Sequence, residues 1–198
     1  MLLVATEDEL SEAVVFRLVM AARGSAEGVR PLRREGYGYL RRSIGKFCEA
    51  ARRTPVILLT DLDAASCPPT LIRDWFGATI RPPRLIFRVA VREVETWLLA
   101  DREGLGAFLH VSPQKIEPNP ESLPDPKHYL LSLARSAPRD LKNDLLPKKG
   151  AAASQGFGYN ARLRDFVETG WSVERASSRS SSLYKANLRI RESLSSRS

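Results

Sequence analysis

Apolar and polar positions follow two alternating periods through the first half of the chain. Residues 2–5 form a short apolar run, the length of a buried strand. Leu10, Val14 and Leu18 then recur at helical spacing, and Thr6 with Glu9 three residues later has the form of a capping box. A helix is therefore predicted to about Ala22. A Gly- and Arg-rich loop is expected over 24–38. Leu40, Ile44, Phe47, Cys48 and Ala51 mark a second amphipathic helix, with Arg41, Arg42, Lys46, Arg52 and Arg53 on its other face. Residues 56–60 are continuously apolar apart from a closing Thr, as in a central parallel strand, and stop at Asp61-Leu62-Asp63. Pro68-Pro69 introduce a short helix bearing Leu71, Ile72, Trp75 and Phe76. Residues 85–91 read as the next strand, ended by Arg92-Glu93-Val94-Glu95, and 96–107 as a helix. Trp75 and Trp97 lie on apolar helix faces and are expected in the core.

Strand and helix alternate in this way from residue 2 to about 107, which is the pattern of an α/β fold with a parallel sheet and crossover helices. The character then changes. Residues 113–126 contain five prolines and read as a connection. Helical segments are predicted near 129–135, 139–145 and 163–167. A Ser- and Arg-rich tail carries Leu183, Leu188 and Ile190 as a candidate docking helix before a frayed end. The expected organisation is a core over 1–110 and, over 111–198, a Pro-rich connection and helical extension packing on that core.

A length of 198 residues suits one domain with an extension, and 43% hydrophobic residues indicate a globular chain rather than a disordered one. Thirty-one Lys and Arg against 23 Asp and Glu give a net charge of +8, which attracts polyanions, although many basic proteins bind no nucleic acid. Cys48 and Cys67 have neither the number of a disulfide framework nor the spacing of a zinc site, and are expected as free thiols in a reducing cytoplasm. The amino terminus lacks the form of a signal peptide. No stretch approaches the roughly 18 apolar residues of a membrane span. His110 and His128 stand apart from any cluster and take no role.

The chemistry lies in the acids. Glu7 follows the first strand, Asp61 and Asp63 follow residues 56–60, and Glu93 and Glu95 follow residues 85–91. In open parallel sheets ligands bind beyond the carboxyl ends of the strands, so these groups should meet on one rim. Carboxylates gathered there repel unless a cation neutralises them or some take up protons. Hard oxygen ligands suit Mg²⁺ or Mn²⁺, the metals of phosphoryl-transfer chemistry. Asp61 and Asp63 leave the same side of an extended chain while Leu62 turns into the core. Which of Glu93 and Glu95 faces the site depends on where strand gives way to helix. Each acid also has a plainer reading as a helix cap, a turn residue or a partner for a helix dipole.

The pattern resembles the Toprim fold of topoisomerases, bacterial-type primases and overcoming-lysogenization-defect nucleases, with Glu7 at the first motif and Asp61-Leu62-Asp63 at the second. It is more closely similar to small stand-alone Toprim-like proteins of uncharacterised function, often encoded beside an ATPase. The stretches 6–12, 59–63 and 92–101 carry this likeness, with Asp125-Pro126-Lys127, Gly158-Tyr159-Asn160 and residues 182–186 in support. The resemblance implies a Toprim-like, Rossmannoid four-stranded parallel sheet flanked by helices, with a helical C-terminal extension. It also implies Mg²⁺ binding and a nuclease of phage or mobile-element defence. Glu7 would act as general acid or base, or as a ligand. Asp61 and Asp63 would be ligands, and Glu95 joins them as a candidate. One departure stands out: Asp8 occupies a position where many Toprim proteins have Gly for a tight turn.

Lys127 is the candidate catalytic cation for a scissile phosphate. Arg33, Arg34, Arg41, Arg42, Lys148 and Lys149 are candidates for binding nucleic acid, with Tyr37 and Tyr39 beside the arginines as stacking partners. A solvated basic surface is the alternative for all of them. Gly156-Phe157-Gly158-Tyr159-Asn160 reads as a tight turn into a helix. The chain has no Walker-type loop, so ATP hydrolysis would fall to a partner ATPase. Two functions follow: a Mg²⁺- or Mn²⁺-dependent nuclease cutting DNA or RNA, or a non-catalytic subunit that docks on an ATPase or nucleic acid. A primase-like or topoisomerase-like activity is a weaker third. Self-association is left open.

Overall fold

The computed structural model describes residues 1–32 and 35–195. Four parallel strands, β1 (Leu2–Ala5), β2 (Val29–Pro31), β3 (Val56–Asp61) and β4 (Leu85–Ala90), lie in the order β2-β1-β3-β4. Between them run α1 (Glu9–Arg23), α2 (Gly36–Arg42), α3 (Ile44–Arg53) and α4 (Pro68–Phe76). After β4 come α5 (Glu95–Ala100), α6 (Arg102–Leu109), α7 (Pro126–Ala134), α8 (Arg139–Leu145), α9 (Tyr159–Thr169), α10 (Val173–Ser177) and α11 (Ser181–Ser195). Short 3₁₀ turns at Pro113–Lys115 and Pro120–Ser122 punctuate the Pro-rich stretch.

Strand side chains alternate between two apolar layers. Leu2, Val4, Ile57, Leu59, Ile86 and Ala90 face a large core built with α1 and the helices after β4. Ala5, Val56, Leu58, Leu85, Phe87 and Val89 face a smaller one built with α2, α3 and α4. Chain direction explains the layers. A right-handed crossover from β1 to β2 puts α1 on one face, and crossovers running the other way put α2 to α4 on the opposite face. The two directions part between β1 and β3, which is therefore the sheet's switch point.

Three local expectations need correction. The cap of α1 is Asp8, whose carboxylate accepts the Ser11 amide at 2.8 Å, and Thr6 instead donates its hydroxyl to the Asp8 carbonyl. The stretch 24–38 is not all loop. It contains β2, pairing with β1 from Leu2↔Val29, and the start of α2. Val29-Arg30-Pro31 has no apolar run to betray a strand, and its proline is tolerated because β2 is an edge. The single helix expected through Leu40 and Ala51 is two helices, broken at Ser43.

The helices after β4 belong to the larger core. Trp97, Tyr159, Phe166 and Trp171 are fully buried there, and α9 and α11 lie on α1. Leu183, Ala186 and Ile190 form the buried stripe of α11, while Leu188, expected in that stripe, is 44% exposed because it falls off the i, i+3, i+7 row. Glu121 accepts the Ser180 and Ser181 hydroxyls and the Ser182 amide, and so fixes the start of this helix.

Candidate functional site

The carboxyl ends of the strands present the acids. Glu7 follows β1 and reaches the end of β3, where its Oε1 accepts the Thr60 hydroxyl at 2.6 Å and the Asp61 amide at 3.0 Å. Asp61 is the last residue of β3, level with Ala90 of β4. These two acids stand at the switch point. Asp63 is reached through a left-handed turn (φ 48°), not along an extended strand as the spacing implied. Leu62 is buried as expected, and the turn is tied down by the Asp63 amide on the Arg92 carbonyl at 2.9 Å.

Glu93 and Glu95 do not share a strand face, because β4 ends at Ala90 and Glu95 opens α5. Both nonetheless turn to the rim. Glu93 accepts the Lys127 amide in the first turn of α7 at 3.0 Å, where unpaired helix amides favour an anion. Glu95, only 5% exposed, accepts the Tyr159 hydroxyl at 2.9 Å. The Lys127 ammonium lies 4.9 Å from the centre of the Tyr159 ring.

Crowding and burial shift these groups. Asp61 is pushed well above the ordinary carboxylate range, first by burial and then by the charges of Glu95, Glu7, Asp8 and Asp63. Glu95 is pushed up to about 7 by burial and by Glu93, against the pull of Lys127 and Tyr159. Burial also raises Glu7, Asp63 and Glu93. As a whole residue Asp61 is half-buried, but its Oδ1 is shut off from solvent and has no hydrogen-bond partner among the described residues. No three of these acids converge as a finished metal cage among the described residues; Glu7, Glu93 and Glu95 are each held on a donor instead.

Glu7, Asp61, Asp63, Glu95 and Lys127 thus come together on one rim, with Glu93. Other candidates lie elsewhere. Arg41 pairs with Asp74 of α4 at 3.2 Å, and Arg42 is exposed beside it. Lys148 and Lys149 are exposed on the loop between α8 and α9. Arg33 and Arg34 fall outside the described residues. Tyr37 and Tyr39 are occupied with packing: Tyr37 accepts the Trp75 indole N–H at 3.2 Å, and Tyr39 meets Phe47 edge-on.

Sequence reasoning gave no role to Thr60 or to the Tyr159 hydroxyl, and read Asp8 only as an acid complementing a helix dipole in a position where many Toprim proteins have Gly. Asp8 caps α1 with φ −145°, a conformation open to any residue, so a glycine there has no conformational task. Tyr159 carried a usable signal, since a tyrosine expected inside needs an acceptor for its hydroxyl. The preceding glycines seat it. A side chain at Gly156 would strike the Asp144 carbonyl, and one at Gly158 would strike the Asp144 side chain.

The fold and rim define an α/β protein with an acidic switch point. A family model described as a domain of unknown function (DUF4276) matches residues 6–151, and the chain belongs to that family. Among solved structures it is similar to the C-terminal region of the Burkholderia pseudomallei OLD protein, with 14% identity, a TM-score of 0.50 and 98% of each chain covered. That likeness is one of fold. None of the curated proteins matches the chain. Among the described residues no helix is long and apolar enough to cross a membrane.

Proposed function

We propose that this protein is a Toprim-like nuclease that hydrolyses phosphodiester bonds of DNA or RNA with Mg²⁺ or Mn²⁺. The observation that carries the reading is Asp61 Oδ1, buried at the switch point with no hydrogen-bond partner among the described residues while four neighbouring acids raise its pKa. A carboxylate buried among like charges is stabilised by taking up a proton or by a bound cation. The donor set is all carboxylate oxygen, which fits a hard divalent ion. Asp61 and Asp63 would hold it, with Glu7 and Glu95 completing the set. Such an ion, when bound, polarises a phosphate and lowers the pKa of water.

The chain's own groups supply the rest. Thr60 and the Asp61 amide orient Glu7 at Oε1. Tyr159 orients Glu95, whose carboxyl can hold or release a proton near neutral pH. Lys127 stands over Tyr159 as the cation for the charge that builds on a phosphate during cleavage. The sequence resemblance extends the reading to a partner ATPase and to defence against phages or mobile elements.

Calorimetry with Mg²⁺ and Mn²⁺ tests this on the wild type and on Asp61→Ala/Asp63→Ala. Binding by the wild type, lost in a folded double variant together with cleavage of oligonucleotides, is the expected result. A folded wild type that binds neither metal, even with nucleic acid present, would overturn it and leave a non-catalytic docking subunit.

A further inference from the structure

A second electrostatic anomaly, of opposite sign, lies at the free edge of β4. A groove of about 360 Å³ runs between residues 85–88 of that strand, the Arg81-Pro82-Pro83 turn and Arg189 of α11. Three guanidinium groups line it, and none of the described residues lining it is acidic. Arg88 is half-buried and held in place, donating to the carbonyls of Phe87 at 2.6 Å and Lys185 at 3.3 Å. Arg81 lies over the Phe76 ring at 5.5 Å. Arg189 pairs with Glu192 at 3.6 Å, an exposed pair of little worth.

We propose that this groove binds backbone phosphates of the nucleic-acid strand on which the carboxylate rim acts. The identity of the polyanion rests on the nuclease reading. The chemistry of the groove is read directly. Arginine forks match phosphate oxygens, and a positioned half-buried guanidinium loses little freedom on binding one. Burial, Arg189 and Arg81 together lower the pKa of Arg88, the strain that an anion would relieve. Ala90 is level with Asp61 in the sheet, and Arg88 lies two residues back along the strand. That offset is about 7 Å along the strand, and the groove continues from Arg88 toward the turn at Arg81, away from the rim. A strand of several nucleotides laid along β4 would be needed to reach both sites. The edge position also explains why like charges gather there: a charged rim deters a second β-strand from adding to an open edge.

The test is fluorescence anisotropy with labelled single-stranded DNA and RNA oligonucleotides, without added metal, over a range of salt. The variant is Arg81→Gln/Arg189→Gln, both exposed positions whose loss leaves the core intact. The control, Arg52→Gln/Arg53→Gln, removes the same two charges from α3. The groove variant is expected to bind at least about tenfold more weakly, with a salt slope shallower by about 1.4, as two lost single-strand phosphate contacts require. The control should change binding by less than about threefold. A wild type that binds the strands and a groove variant that binds them equally would overturn the groove and leave the rim untouched. A groove variant with tenfold weaker binding, in a protein whose wild type cleaves nothing with Mg²⁺ or Mn²⁺, would overturn the nuclease and leave the groove standing. A wild type that binds neither oligonucleotide overturns the groove as well.

Discussion

Asp61 and Asp101 both end a secondary-structure element and both hide side-chain oxygen from solvent, yet the fold treats them in opposite ways. Asp101, fully buried between α5 and α6, accepts the Gly104 amide and the Arg175 Nε on Oδ1, and the Ser172 amide and the Arg175 Nη2 on Oδ2. It ties α5 and α6 to α10. Among the described residues Asp61 Oδ1 has no hydrogen-bond partner, and Glu95, Glu7, Asp8 and Asp63 press on it with like charge. A structural carboxylate comes with its cation and its donors. A carboxylate kept buried without them is held against its own electrostatics, and such groups cluster where function needs them.

This contrast can be broken from either side. Arg175→Ala leaves the buried Asp101 without its cation, and is expected to cost about 1–3 kcal/mol of unfolding free energy, read by denaturant titration. Asp61→Asn in metal-free protein at pH 8 should do the reverse and raise stability, since it removes a charge that burial and four neighbouring acids disfavour. A destabilised Asp61→Asn would place Asp61 with the structural acids.

The pH dependence sharpens the same point. Glu95 rises from 4.5 to about 7, so the folded protein keeps a proton that the unfolded chain gives up. Its contribution is complete below pH 4.5 and is lost as pH climbs through about 7, roughly 3 kcal/mol in all. Denaturation at pH 5 and pH 8 should reveal this loss, Glu95→Gln should remove it, and millimolar Mg²⁺ should offset it. The smallest effect is expected of Tyr159→Phe, which keeps the ring under Lys127 but frees Glu95. It should cost about 1–2 kcal/mol of stability and about tenfold in metal affinity.

The sheet's three longer strands were legible because buried parallel strands write continuous apolar runs, as at 56–60. β2 was not, since three residues on an edge need no such run. The acids were legible as a set because chain order puts each just after a strand. Their individual aims were not. Glu93 and Glu95 looked alike until the end of β4 at Ala90 gave one the Lys127 amide and the other Tyr159. Arg88 appeared as one more strand residue, and only the approach of α11 and of the turn at Arg81 makes it part of a basic groove.

Local periodicity and strand-end position, both short-range properties, were therefore enough to specify an α/β sheet with an acidic rim. Partners brought from 34 to 97 residues away assigned each charge its work: Lys127 against Glu93, Glu7 against Thr60, Tyr159 against Glu95, Arg175 against Asp101, Lys185 against Arg88. Burial and pairing are properties of the packed chain, and they separate a carboxylate that holds the fold together from one whose buried oxygen has no hydrogen-bond partner among the described residues.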